Sequence, residues 1–262
     1  KSFGALSLTF NPKYRKAFAP LVEKVSFASF GDIDSLRSVI DEDTAFIILE
    51  PVQGESGIIV APDGFLQEVR KLCDEKGIIL IFDEIQAGLG RTGRLWAGEH
   101  WNTGPDILCL AKGIAGGVPM GATLVRPDIL ASISKGEHSS TFGGNPISCA
   151  AGIAALTAIT EDGLIENSKK MGELFKEGLE KLKEKHTMIR EIRGKGLMIG
   201  IELKFEVKNI LMELIEEGVL MLYSGRNILR ILPPLVITEE DVTKVLGALD
   251  VVISKEEEKK NV

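Results

Sequence analysis

Apolar positions along the chain follow two different periods. The run Ile78-Ile79-Leu80-Ile81-Phe82 is continuous, as in a strand covered on both faces, whereas Phe65, Leu66, Val69 and Leu72 recur at helical spacing. The alternation of the two predicts a strand over 45–50, a helix over 62–76 ended by Gly77, a strand closing at Asp83, and further strands over 106–110 and 121–125. A mostly parallel sheet covered by helices follows. Asn145-Pro146 places a capping side chain and a first-turn proline ahead of a helix over 147–160, which Glu161-Asp162-Gly163 breaks. Residues 164–185 form a charged amphipathic helix with Leu164, Met171, Leu174, Phe175 and Leu182 on one face.

Beyond that helix the pattern changes to a strand over 196–203, a helix over 207–217, strands over 219–223 and 228–232, and a last helix capped by Thr238 and Asp241. The tail 255–262 is expected to be solvated and to fray. These readings divide the chain into an α/β part, residues 1–165, and a smaller α+β part, residues 166–262. Lys1-Ser2-Phe3-Gly4-Ala5-Leu6 is an abrupt beginning, read as a fragment start whose upstream part is missing.

Composition narrows the function classes. A hydrophobic share of 44% with 26% charged residues is that of a globular protein. No apolar run reaches the ~18 residues that span a bilayer, so no membrane partner is expected. The net charge of −7 leaves no broad basic face for phosphates, so no nucleic acid is expected either. Cys73, Cys109 and Cys149 are odd in number and lack metal-ligand or redox spacing, which fits a reducing compartment. With no signal-peptide pattern, the expected location is cytoplasmic. Three histidines without paired spacing make a catalytic metal site improbable.

The chemistry lies at the ends of the predicted strands. Asp83 closes one apolar strand and Lys112 follows the next, at the carboxyl edge where open α/β sheets bind ligands. Pyridoxal 5′-phosphate chemistry needs such a pair: a lysine to form a Schiff base, and an acid to keep the pyridine nitrogen protonated. The bland alternative is a helix-capping acid and a surface lysine. A third element, Ser139-Ser140-Thr141-Phe142-Gly143-Gly144-Asn145-Pro146, adds hydroxyls and glycines running into a helix start. Gly88-Leu89-Gly90-Arg91-Thr92-Gly93 matches the dinucleotide-binding glycine pattern, but Asp83 and Glu84 precede it and 96–105 is a poor helix to supply an N-terminal dipole.

Several ordered motifs resemble the class-III aminotransferases: Glu50-Pro51-Val52-Gln53-Gly54-Glu55-Ser56-Gly57, Phe82-Asp83-Glu84-Ile85-Gln86 with its glycines, Pro105-Asp106-Ile107-Leu108, Ala111-Lys112-Gly113 and Ser140 to Pro146. Arg193-Gly194-Lys195-Gly196-Leu197-Met198 and Leu229-Arg230-Ile231-Leu232-Pro233-Pro234-Leu235 are similar to that family's C-terminal domain. The resemblance runs nearly end to end and implies a fold-type-I architecture with pyridoxal 5′-phosphate as cofactor. It makes Lys112 the covalent lysine and proton carrier, Asp83 the partner of the pyridine nitrogen, and Gln86 a contact of the ring hydroxyl. Thr141 becomes a phosphate donor from the neighbouring subunit, so the implied assembly is a homodimer with shared active sites. Glu55 and Arg230 become a switchable pair, the arginine binding the α-carboxylate of glutamate or 2-oxoglutarate and the glutamate screening it when the other donor is bound.

Two departures accompany the resemblance. Ser2-Phe3 runs directly into Gly4-Ala5-Leu6 where the family has Ser-Phe-His-Gly-Arg, so the arginine expected to grip a distal carboxylate is absent there, and the upstream phosphate-cradling loop is absent too. Phe3 matches the aromatic that stacks on the cofactor ring. The implied reaction carries an ω-amino group to 2-oxoglutarate. N-acetylornithine, or a related acylated intermediate of arginine or lysine biosynthesis, is the expected donor; Ser224 to Arg230 is the stretch most similar to the acetylornithine and aminoadipate group. Ornithine or 4-aminobutyrate is the alternative. A same-fold aminomutase is disfavoured by Phe142 to Asn145, and a non-enzymatic paralogue by the presence of Asp83, Gln86, Lys112 and Thr141.

Overall fold

The computed structural model describes residues 2–260, which form two compact units divided between residues 45 and 46. In the first, helix α1 (Phe3–Ser7) is capped by the Ser2 hydroxyl, α2 (Pro12–Arg15) by Asn11, and α3 (Ile33–Val39) by Asp32, whose carboxylate accepts from Asp34 and Ser35 amides. Each helix therefore begins at a short polar side chain that satisfies amides left without a partner in the first turn.

The second unit carries two four-stranded sheets and one two-stranded sheet. Strands β1 (Phe46–Leu49), β4 (Ile79–Asp83), β5 (Ile107–Leu110) and β6 (Ala122–Val125) lie in that order, the first three parallel and β6 antiparallel to β5. The hairpin β2 (Val52–Gln53) and β3 (Ile59–Val60) grows from the end of β1. Helix α4 (Phe65–Lys76) buries Phe65, Leu66, Val69 and Leu72, and ends at Gly77 in a left-handed conformation that glycine adopts without a Cβ penalty. After α5 (Pro127–Leu130) come α6 (Pro146–Glu161), capped by Asn145, and α7 (Leu164–Lys185), the two separated by Gly163 at φ 72°.

The second sheet has the order β7 (Ile189–Lys195), β8 (Met198–Leu203), β10 (Ile228–Ile231), β9 (Leu222–Ser224), antiparallel throughout. Helices α7, α8 (Lys208–Glu216) and α9 (Glu239–Lys260) pack with it around Phe175, Leu179, Ile201, Leu203, Ile210, Leu249 and Ile253. Burying a side chain of this size stabilises by about 1.5–3 kcal/mol, so this cluster makes β8 and β10 a rigid platform.

Three expectations are corrected. Strand β7 was not foreseen; the predicted strand over 219–223 is observed as Leu222–Ser224, with Val219 buried in the connection before it. The tail does not fray from residue 255. Helix α9 continues to Lys260, with Glu256 buried against Lys259 and Lys260 and with Lys255 and Lys259 paired to Glu217 and Glu213 of the α8 end. Residues 261 and 262 lie outside the described residues. Among the described residues no single helix is long and apolar enough to cross a membrane.

Candidate active site

Parallel strands deliver their carboxyl ends to one edge of the sheet, and this sheet puts chemistry at three of them. Glu50 follows β1, Asp83 closes β4 and Lys112 follows β5, with Asp83 directly opposite Cys109 in the β4–β5 register. Asp83 is half-buried and its Oδ1 accepts the Ile85 amide at 3.0 Å, which turns the chain away from the strand. Lys112 starts a short 3-10 turn (Lys112–Ala115) at φ 50°, a left-handed conformation uncommon for a residue with a side chain. Withdrawal from water lowers its ammonium pKa, opposed by the carboxylates of Glu55, Glu50 and Asp83 and reinforced by Arg230. Burial raises the Glu50 carboxyl, although the Gly54 amide donates to its Oε2 at 2.9 Å.

Next to Asp83, Glu84 is almost fully buried. Its two carboxylate oxygens accept the amides of Ala97 and Gly98 at 2.6 and 2.9 Å, and its own amide donates to the Cys109 carbonyl. Burial pushes this carboxyl up to about 7 against the pull of those two amides. Glu84 thereby ties the β4 end to β5 and to the following 3-10 turn. Gln86, two residues on, lies over Gly54, where a Cβ would come within 1.8 Å of its Oε1. That Oε1 is buried and has no hydrogen-bond partner among the described residues.

The second sheet completes the cluster. Arg230 is directly opposite Gly200 of β8, so it shares that glycine's face while Leu229 and Ile231 enter the hydrophobic core. The register thus settles its direction, which alternation alone left open. The Arg230 guanidinium donates to Glu55 Oε1 at 2.8 Å and to the Gly54 carbonyl at 3.2 Å. The pair is asymmetric: the arginine side chain is 7% exposed and the glutamate 80%. Arg230 first, then hydrogen bonding from Gln86 and the charge of Lys112, holds the Glu55 carboxyl below its ordinary value despite partial desolvation.

Asp83, Gln86, Lys112, Glu55 and Arg230 are therefore brought together, and Glu50 and Glu84 join them. The latter two carry the same signal in the sequence as Asp83, an acid at the end of an apolar run. Thr141 lies in an exposed bend before α6 and shares no hydrogen bond or ion pair with this group among the described residues. Phe3 lies half-exposed on α1 of the first unit.

The donor set fits pyridoxal 5′-phosphate. A partly desolvated amine, an acid at a neighbouring strand end and an orphaned buried acceptor at Gln86 Oε1 match its aldehyde, ring nitrogen and ring hydroxyl in type.

Known proteins agree with this class of site. The aminotransferase class-III family matches residues 1–253. Acetylornithine aminotransferase of Caldanaerobacter subterraneus subsp. tengcongensis is 45% identical over 97% of this chain and 65% of its own length. Ornithine aminotransferase 1 of Staphylococcus saprophyticus is 42% identical over 97% and 64%. The solved ornithine aminotransferase of Toxoplasma gondii superposes with a TM-score of 0.95 at 33% identity, covering all of this chain and 63% of that one. The chain spans less than two thirds of the length of these curated relatives. It belongs to the class-III aminotransferases, an α/β family of fold type I that depends on pyridoxal 5′-phosphate.

Proposed function

We propose that the protein is an aminotransferase that uses pyridoxal 5′-phosphate to move an ω-amino group to 2-oxoglutarate, with N-acetylornithine or a related acylated donor. The observation that carries it is the meeting of Lys112 and Asp83 with the Glu55–Arg230 pair. When bound, the cofactor supplies an electron sink for the carbon that bears the amino group.

The chain's own residues do the rest. Lys112 bonds the cofactor and moves the proton at the substrate carbon; a lowered pKa leaves more of its amine free to act as a base near neutrality. Asp83 would hold a proton at the ring nitrogen, Gln86 Oε1 would accept a hydrogen bond from the ring hydroxyl, and Phe3 would be the aromatic that packs on the ring. Thr141 donates to the phosphate of the neighbouring subunit in a homodimer. Arg230 takes the α-carboxylate of glutamate or 2-oxoglutarate as a charge-assisted bidentate partner, and Glu55 covers it when the ω-amine donor is bound. Residues 1–165 form part of the large cofactor-binding domain and 166–262 the small domain, in a cytoplasmic enzyme.

Ornithine is the second reading, favoured by the similarity to ornithine aminotransferases. A panel of N-acetylornithine, ornithine and 4-aminobutyrate, read by the change in cofactor absorbance and its reversal by 2-oxoglutarate, separates the two. N-acetylornithine should give the fastest donor half-reaction. No conversion with any ω-amine would end the proposal.

A further inference from the structure

Glu55 sits on the loop between β2 and β3, whose backbone is held from the second sheet, where Arg230 lies on β10. Arg193 of β7, Gly200 of β8 and Arg230 of β10 lie abreast across three strands, and so share one face. Gly200 leaves a gap between the two arginines. A Cβ there would lie 3.1 Å from the Gly57 carbonyl oxygen and the same distance from Ile58, so the loop seats where that side chain would stand. Ser224 of β9 is paired with Ile228, two residues before Arg230, and lies on the same face.

From this face three side chains reach three carbonyls of the loop. Arg230 donates to Gly54 at 3.2 Å, the Ser224 hydroxyl donates to Glu55, and Arg193 Nε donates to Gly57 at 2.9 Å. Arg193 is itself fixed by Glu191 and Glu202. The Glu55 carboxylate is held less tightly: among the described residues it is hydrogen-bonded by Arg230 and Gln86, and its side chain is 80% exposed. The backbone at Glu55 is pinned, while the side chain is free to leave.

We propose that Ser224 is a positioning residue for donor selection: its hydroxyl fixes the Glu55 carbonyl so that the Glu55 carboxylate returns to Arg230 each time the α-carboxylate leaves. This rests on the Glu55–Arg230 switch proposed above. Removing the hydroxyl lets the loop shift, and Glu55 then screens Arg230 less well. A carboxylate ligand competing for Arg230 gains; the ω-amine donor, which needs Arg230 covered, loses.

The test uses the holoenzyme and four variants: Ser224→Ala, Ser224→Thr, Glu55→Gln, and Glu55→Gln with Ser224→Ala. Two quantities are read: the ratio of the donor half-reaction to the glutamate half-reaction, and the calorimetric Kd of glutarate, a dicarboxylate with no amine to react. Ser224→Ala should tighten glutarate by about two- to fivefold, the size of one side-chain to backbone hydrogen bond, and lower the donor-to-glutamate ratio by a similar factor. Ser224→Thr, which keeps the hydroxyl, should restore both. In the Glu55→Gln background, Ser224→Ala should add nothing, because it acts through the missing carboxylate. Equal loss in both half-reactions with glutarate unchanged or weaker, or full additivity in the double variant, overturns the inference and leaves Ser224 a packing residue. If Glu55→Gln alone leaves the ratio unchanged, the switch itself is wrong and the Ser224 role falls with it.

Discussion

At the scale of single residues, Asp83 and Glu84 are neighbours with opposite duties. Asp83→Asn keeps the shape and the turn to Ile85 but removes the charge that, in the reading proposed above, would hold a proton at the ring nitrogen. Because that charge acts in the transition state, kcat in single-turnover assays should fall by several orders of magnitude with little change in cofactor affinity. Near-normal kcat with weaker cofactor binding would make Asp83 an anchor only. Glu84→Gln should instead cost stability, about 1–3 kcal/mol for a buried amide left without its acceptor, read as a lower Tm. Its pH dependence has a definite sign. The folded carboxyl titrates at about 7 against an ordinary 4.5, so between those values the folded chain keeps a proton that the unfolded chain has released. Stability from Glu84 is therefore lost as pH rises through that window, and the Tm gap between wild type and Glu84→Gln should be wider at pH 5 than at pH 8. A gap that widens with pH would mean that the Ala97 and Gly98 amides outweigh burial. Asp83 and Lys112 were legible as polar ends of apolar runs. The direction of Arg230 was not, because a strand's alternation places a residue on a face only after its register is known.

At the scale of elements, the helices and the central strands were legible because their apolar periods are unbroken and their caps are local. Strand β7 was not, for a structural reason: the register shifts between Ile189 and Glu191, so its apolar residues Ile189 and Ile192 fall three apart instead of two. The end of α9 was hidden by charge, since Glu256 is buried among lysines that the sequence alone presents as solvated. The glycine pattern 88–93 serves as a joint. The Arg91 carbonyl accepts the Leu197 amide and the Ser168 hydroxyl, each at 3.0 Å, while its guanidinium donates to the carbonyls of Leu197 and Pro233. Burial lowers that guanidinium to about 10. Gly196 meets this joint at φ 52°, with a Cβ position 2.4 Å from the Thr92 carbonyl carbon. Gly196→Ala should thus be among the most damaging small substitutions, costing on the order of 2 kcal/mol or more through strain and backbone collision. Differential scanning calorimetry checks it; a Tm within a degree of wild type would show that the joint yields freely.

At the scale of the whole molecule, Thr141 shares no hydrogen bond or ion pair with Lys112 among the described residues, and exposed apolar side chains lie beside it: Phe142 is 82% exposed and Ile147 of α6 75%. A second copy covering that surface would bring Thr141 to the partner's cofactor phosphate. Mixing inactive Lys112→Ala with inactive Thr141→Ala subunits should then restore activity, because one site in each mixed dimer holds both residues. No recovery would place Thr141 in its own subunit's site. The claim on which the rest depends is that the amine at the end of β5 carries the cofactor. Borohydride reduction of the resting holoenzyme followed by peptide mass mapping tests it most directly: the pyridoxyl group should be found on Lys112, and its recovery on Lys135, on another lysine or on none would contradict the account.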